Sequence, residues 1–305
     1  MKSLFLSSLL ALGLLAVPAQ AAEYPAKPIT LMTAFNAGGG SDVSHRLLEK
    51  FAKGVFDQPI VVTYKAGAGG EIGWTWLVGA KADGYTIGGV DLPHIVLQPM
   101  LRPEGQPGYK TEQLSPLCGL VYDADVVMVP EDGPYKTFKD LIEYAKANPG
   151  KVKVATVGKL TGDHLFLMQI EKLTGAKFTQ VPYSGSGKAI PALLSGEVDA
   201  YFGSGSSFLR MEKTRGLAIG SKERYELCPD VPTFIEQGYA IESGKYRGLA
   251  TPQNIPAEAR QYLETKFAEL CANPEYQKAV KSSGLMPQFQ TGKAFGEIIR
   301  TEGEQ

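Results

Sequence analysis

One alternation, repeated along the chain, narrows the fold more than any other feature: a short β-rich run, a glycine-rich loop, then a run with helical spacing. "PITLMTAF" (28–35) reads as a strand and "NAGGGSD" (36–42) as the loop. Val43, Leu47, Phe51 and Val55 then recur at helical spacing opposite Arg46, Glu49, Lys50 and Lys53, which predicts a helix with the first set on its buried face. The unit returns as "QPIVVTYK" (58–65), the loop "AGAGGEIG" (66–73) and the helix start "WTWLVGAKA" (74–82), after which "DGYTIGGV" (83–90) leads toward "HIVLQPML". Thr137 and Asp140 frame a capping box before "FKDLIEYAKA", and "NPG" (148–150) ends that helix. "KVKVATVG" (151–158), "KFTQVPY" (177–183), "VDAYFG" (198–203) and "RGLAIGS" (215–221) are four further strand candidates. Such alternation predicts an α/β protein with largely parallel sheets and helices over both faces.

Four loops rich in glycine and serine occupy the same place in these units, between a strand end and the next helix: "NAGGGSD", "AGAGGEIG", "GKLTGDH" (158–164) and "YSGSGKAI" (183–190). In open α/β sheets, ligands bind in the crevice at the carboxyl ends of the strands. A helix start there offers unpaired N–H groups and the positive end of a dipole, which suits a carboxylate. Glycine lets the backbone approach, and serine or threonine adds a hydroxyl donor. Any one of these loops reads equally well as a plain turn. Together they point to a site.

The remaining composition removes other classes. The 31 basic and 32 acidic residues nearly cancel and form no block, so neither nucleic acid nor an anionic membrane surface is an expected partner. Cys118, Cys228 and Cys271 include no CxxC pair, and His45, His94 and His164 are scattered, so neither a metal site nor a cofactor is expected. GxSxG, HExxH, GxxxxGK[ST] and an intact GxGxxG are all missing from the sequence. Ser41 and Asp42 beside His45 suggest a charge-relay set only by adjacency, and they read better as helix-capping residues at a ligand loop. At the start of the chain, Lys2, the apolar run from Leu4 to Val17 and Ala19-Gln20-Ala21 have the three regions of a cleaved secretory signal, predicting residues 1–21 as signal and an exported mature chain.

"YPAKPITLMTAFNAGGGSDVSHRLL", "AGAGGEIG" followed by "KADGYTI", "VPYSGSGKAIPALLSGEVDAYF", and "PDVPTFIEQGY" leading to "RGLATPQNIP" resemble the extracytoplasmic solute receptors of the tripartite tricarboxylate transporters, the Bug or TctC-like family. The resemblance implies a two-lobed periplasmic binding protein fold of type II, with a ligand cleft between lobes joined by crossing strands. Lobe 1 would comprise 22–125 and 250–305, lobe 2 would comprise 126–249, and "VVMVP" and "RGLATP" would cross between them. It implies a monomeric periplasmic receptor, not an enzyme, that binds a di- or tricarboxylate or an aromatic acid and hands it to a two-subunit inner-membrane permease. A secreted α/β hydrolase or lyase using Asp42, His45 or His164 is the alternative. By the resemblance, ligand carboxylates would be held by Phe35, Asn36, Gly38, Gly39, Gly40, Ser41 and Asp42, and by Gly158, Thr161, Gly162 and His164. Tyr183, Ser184 and Ser186 would form a third ligand-facing segment.

The chain departs from the family pattern at Glu71, where a neutral residue is usual, and Asp91, His94 and Asp163 add ionisable groups near the expected pocket. A carboxylate aimed at a carboxylate ligand repels it. Glu71 therefore either turns away to cap the helix starting near Trp74, or meets an amine or hydroxyls on the ligand. Trp74 and Trp76, two positions apart on a helix, cannot both face the pocket.

Overall fold

The structure is a computed structural model and describes residues 23–103, 106 and 108–304; the expected signal segment lies outside the described residues. Three strands open the chain: β1 (Ile29–Thr33), β2 (Ile60–Tyr64) and β3 (Thr86–Leu92). Between and after them come α1 (Gly40–Ala52), α2 (Glu71–Val78) and α3 (His94–Leu101). The 17-residue β4 (Leu114–Pro130) then carries the chain out of the first sheet. A second set follows: α4 (Phe138–Ala147), β5 (Lys153–Thr156), α5 (Gly162–Thr174), β6 (Thr179–Pro182), α6 (Ser186–Leu194), β7 (Ala200–Ser204), α7 (Gly205–Phe208) and β8 (Thr214–Ile219). β9 (Gly244–Pro252) brings the chain back, and α8 (Ala257–Ala272), α9 (Pro274–Ser282), β10 (Met286–Thr291) and α10 (Gly292–Glu304) complete it.

The strand order is β2-β1-β3-β9-β4-β7-β5-β6, with β8 and β10 also on β4. β4 is shared: Leu114–Ala124 pairs with β9, and Asp125–Met128 pairs with β7. β4 thus changes partner between Ala124 and Asp125. On the return, all of β9 from Gly244 pairs in the first sheet, so the chain rejoins it earlier than residue 250. The expectation of largely parallel sheets needs correction. Four pairings are parallel (β1 with β2 and β3, β5 with β6 and β7) and five, all involving β4 or β9, are antiparallel. The βαβ units enforce parallel neighbours, whereas strands that cross between lobes arrive running the other way.

The two parts have their own cores. Ile29, Leu31, Leu48, Leu263, Phe267 and Leu270 pack the first sheet against α1 and α8. Phe138, Leu141, Phe166, Phe202 and Phe234 fill the second. The capping box forms as expected, with Thr137 Oγ1 accepting from the Asp140 amide at 3.1 Å and Asp140 Oδ2 accepting from the Thr137 amide at 2.8 Å. In α1 the buried face differs from the expected one: Ser41, Ser44, His45, Leu48 and Ala52 are buried, while Val43, Leu47 and Phe51, with Val55 beyond the helix end, lie partly buried beside them. Ser41 and His45, bonded to Asp91 and Thr33, share that inner face with Leu48, which a pattern that counts only apolar residues does not register. Trp74 is fully buried and donates to the Gly89 carbonyl, and Trp76 is exposed. Among the described residues no helix is long and apolar enough to cross a membrane.

Candidate functional site

The four glycine-rich loops meet across the junction of the two sheets. Asn36 Nδ2 donates to Ser184 Oγ at 2.6 Å. Gly158, with φ +87°, lies so close to the first-sheet loop that a Cβ there would stand 3.0 Å from Gly69 Cα. Only glycine combines that backbone with that approach.

Beneath the loops is a cavity of about 30 Å³ lined by Phe35, Gly39, Gly40, Ser41, Asp91, His94, Val157, Asp163, Ser186, Ser204, Lys245 and Arg247. A space of that size holds a water or two. The N-termini of α1, α3, α5 and α6 all contribute to its wall, and α1, α3 and α6 begin without a side-chain cap. Their free first-turn amides and positive dipole ends make the wall anion-seeking.

The floor is made by the crossing strands. Lys245 and Arg247 alternate on β9, so both project to one face. Behind them on β4 stand Asp123 and Asp125. Arg247 Nη1 donates to Asp123 Oδ2 at 2.6 Å, and Lys245 pairs with Asp125. Asp123 is further held by Ser206, through its amide at 2.9 Å and its hydroxyl at 2.5 Å, and Asp125 by Ser243 Oγ at 2.7 Å. Two more carboxylates line the cavity itself. Asp91 accepts from Ser41 Oγ at 3.0 Å and lies 3.2 Å from Arg247 Nε. Asp163 accepts the Val157 amide at 2.9 Å on one oxygen, and its other oxygen is 2.7 Å from Lys245 Nζ.

All six charged groups are nearly or fully buried. Burial alone would lower the Lys245 pKa, but Asp125 and Asp163 outweigh it and hold the ammonium above the usual lysine range. Burial likewise works against charge on Arg247, and Asp123 and Asp91 reverse it, raising its pKa. Asp91 is pushed up from the ordinary carboxyl value by burial, which exceeds the opposing pull of Arg247. His94 is driven well below 6.5 by burial and by Lys245, so its ring is neutral. Its Nε2 accepts the Gly162 amide at 3.4 Å, which places the proton on Nδ1, and that buried atom has no partner among the described residues.

Of the residues expected at the site, Phe35, Gly39, Gly40, Ser41, Asp91, His94 and Ser186 line the cavity. Asn36 and Ser184 bond to each other across the loops, and Gly38 donates its amide to Asp42 Oδ2 at 2.8 Å. Gly158, Thr161 and Gly162 form the loop and cap of α5, His164 accepts the Leu160 amide at 3.3 Å, and Tyr183 donates outward to Glu197. None of these lines the cavity. Glu71 is corrected: it is the first residue of α2, which starts there and not near Trp74, and its carboxylate takes Arg102 Nε at 2.7 Å, away from the cavity. An acid in the first turn complements the dipole, and the arginine fixes its direction.

Lys245, Arg247, Ser204 and Val157 were missed by sequence reading. Their signal was the spacing of two shared by Asp123/Asp125 and Lys245/Arg247 inside apolar strands. Ser41, Asp42 and His45 form no charge relay: Ser41 donates to Asp91, while His45 Nδ1 is 2.7 Å from Thr33 Oγ1, under Gly89. A relay needs the histidine between serine and acid.

The profile of the family described as "Tripartite tricarboxylate transporter family receptor" matches residues 45–304. The protein BugT of Bordetella pertussis is 35% identical over 287 residues, spanning 91% of this chain and 86% of its own. A solved structure described as a periplasmic transporter superposes with a TM-score of 0.88 at 30% identity, covering 92% of this chain and 95% of the other. MatC of Rhodopseudomonas palustris, solved with bound malate, shares the fold with a TM-score of 0.85 at 23% identity, over 92% of this chain and 98% of its own. The chain belongs to the tripartite tricarboxylate transporter receptor family.

Proposed function

We propose that this protein is a periplasmic solute receptor that captures a small organic carboxylate by closing its two lobes on it. The observation that carries this reading is the convergence of helix N-termini from both sheets on one cavity floored by Lys245 and Arg247. Amides of Gly39, Gly40 and Ser41 on one side, and of the uncapped α6 start on the other, take the carboxylate oxygens. Ser186 and the His94 Nδ1–H add side-chain donors, and Phe35 supplies an apolar wall. Because the closed cavity is so small, a ligand enters only when the loops part. Residues 1–21 direct export and are removed, the receptor acts as a monomer, and a two-subunit inner-membrane permease receives the ligand. Its work is capture and delivery, without chemistry on the ligand.

The test is native mass spectrometry of the protein as purified, followed by a thermal-shift screen of dicarboxylates, tricarboxylates, aromatic acids and amino acids. A bound ligand at a hundred times its Kd adds about 2.7 kcal/mol of stability. At least one carboxylate is expected to raise Tm and to be recovered unchanged. Failure of every carboxylate to shift Tm, or its consumption, overturns the reading.

A further inference from the structure

The charges around the cavity do not balance. Lys245 and Arg247 each have a carboxylate of their own behind the cavity wall, Asp125 and Asp123 respectively. Asp91 and Asp163 line the cavity and reach the same two cations only as second claimants. Four buried carboxyl groups thus face two cations, and the two in excess lie on the ligand side. Arg210 does not correct this: its guanidinium goes to the carbonyls of Ser283 at 3.2 Å and Gly38 at 3.5 Å. Negative charge in excess of its cationic partners is costly in a buried site. A ligand bringing only negative charge would add to that cost.

We infer that the ligand carries a cationic nitrogen beside its carboxylate, and that Asp91 and Asp163 hold this nitrogen. The inference rests on the carboxylate reading above and narrows it to ampholytes. Two independent features of the wall fit the two ends of such a molecule. The His94 Nδ1–H is a buried donor without a partner, which calls for an acceptor such as a carboxylate oxygen. Asp163 Oδ1 lies near Lys245 Nζ yet has no well-directed hydrogen bond, which leaves an acceptor for an N–H. Discrimination follows from charge: an ammonium placed against Asp91 and Asp163 neutralises the surplus, a hydroxyl in the same place only accepts or donates, and a methylene does neither.

The measurement is isothermal titration of the full mature chain with succinate, malate and L-aspartate, which differ at one carbon by hydrogen, hydroxyl and ammonium. Butanoate against 4-aminobutanoate, and 4-methylbenzoate against 4-(aminomethyl)benzoate, repeat the comparison in other shapes. In at least one series the ammonium compound is expected to bind at least tenfold more tightly than its uncharged-substituent analogue. D91N and D163N are each expected to lower that ratio at least tenfold, and because the readout is a ratio, a general loss of stability does not imitate it. Asparagine keeps the acceptor used by Ser41 or by the Val157 amide, and either folded variant suffices. Binding of the non-amine acids as tightly as their ammonium partners overturns the inference and leaves the carboxylate reading standing, as does an unchanged ratio in a folded variant. If no ammonium compound binds while another carboxylate raises Tm in the wider screen, the inference falls and the carboxylate reading stands.

Discussion

His45 lies wholly buried at the inner face of α1, with Nδ1 2.7 Å from Thr33 Oγ1 and its ring where any Gly89 side chain would be. Burial lowers its pKa from 6.5 to about 4; Asp42 pulls the other way, and Arg247 adds to the lowering. A histidine held neutral in the folded state contributes nothing adverse above its unfolded value. It destabilises as pH falls from about 6.5 through 4, because the unfolded chain takes up the proton first. The full effect is on the order of 3 kcal/mol. Burial lowers His94 and His164 as well, with the same sign. Urea unfolding is therefore expected to show stability falling steadily from pH 7 to pH 4, with a shallower fall in H45N; an equal slope in the two proteins would remove His45 as a cause. At this scale the sequence revealed the loops and the acids Asp91 and Asp163 beside them, but not the charges of the floor. Glycine clusters are a local signal, so Gly39, Gly40 and Ser41 were found in advance. Lys245, Arg247, Asp123 and Asp125 act through partners more than a hundred positions away in the chain, and only strand pairing brings them together.

The start of α1 turns a local pattern into a site. Gly38 takes φ +85° and gives its amide to Asp42, and the helix begins at Gly40 with no side-chain cap. Gly39 is extended (φ −87°, ψ 175°), and a Cβ there would meet Ser186 at an ordinary 3.7 Å. At Gly40 a Cβ would lie 2.7 Å from Arg247 Nη2 and 3.0 Å from Ser206 Oγ. Gly40→Ala must therefore displace the guanidinium from Asp123 and Ser204, while Gly39→Ala fits. Titration with whichever carboxylate binds should show G40A weakened at least tenfold, about 1.4 kcal/mol, and G39A close to wild type. Equal affinities would mean that Arg247 does not set the floor. Elements with continuous apolar runs, such as β1, β2 and β7, were legible from the sequence. The first half of β4 was not, because Pro116, Gly119 and the Asp123/Asp125 pair interrupt its pattern and only pairing with β9 and β10 makes it a strand. β10 is mostly exposed or half-buried, and so carried little periodic signal.

At the scale of the whole molecule, the two sheets are joined through β4 and a narrow set of backbone bonds at its midpoint. Asp125 gives its amide to Ser243 and accepts that of Gly220, while Ser243 gives its amide to Gly220. On the far side of the cavity the lobes touch through loop contacts that few side chains hold, foremost the Asn36–Ser184 bond. A firm joint at one edge and light contacts at the other describe a hinge and a mouth, the geometry of closure around a ligand. The ligand shifts the balance only by what it gains in the closed form over the open one. Small-angle scattering without ligand is expected to show a particle larger than the closed structure, and with a saturating carboxylate a particle that matches it. Asn36→Ala removes one neutral hydrogen bond made only on closure, worth about 0.5–1.5 kcal/mol. It should therefore lower affinity by roughly two- to tenfold while leaving the unfolding midpoint without ligand unchanged. If scattering fits the closed structure equally well with and without a ligand proven to bind, or if N36A binds as wild type does, the lobes do not act as jaws, and the carboxylate reaches Lys245 and Arg247 by some route other than this mouth.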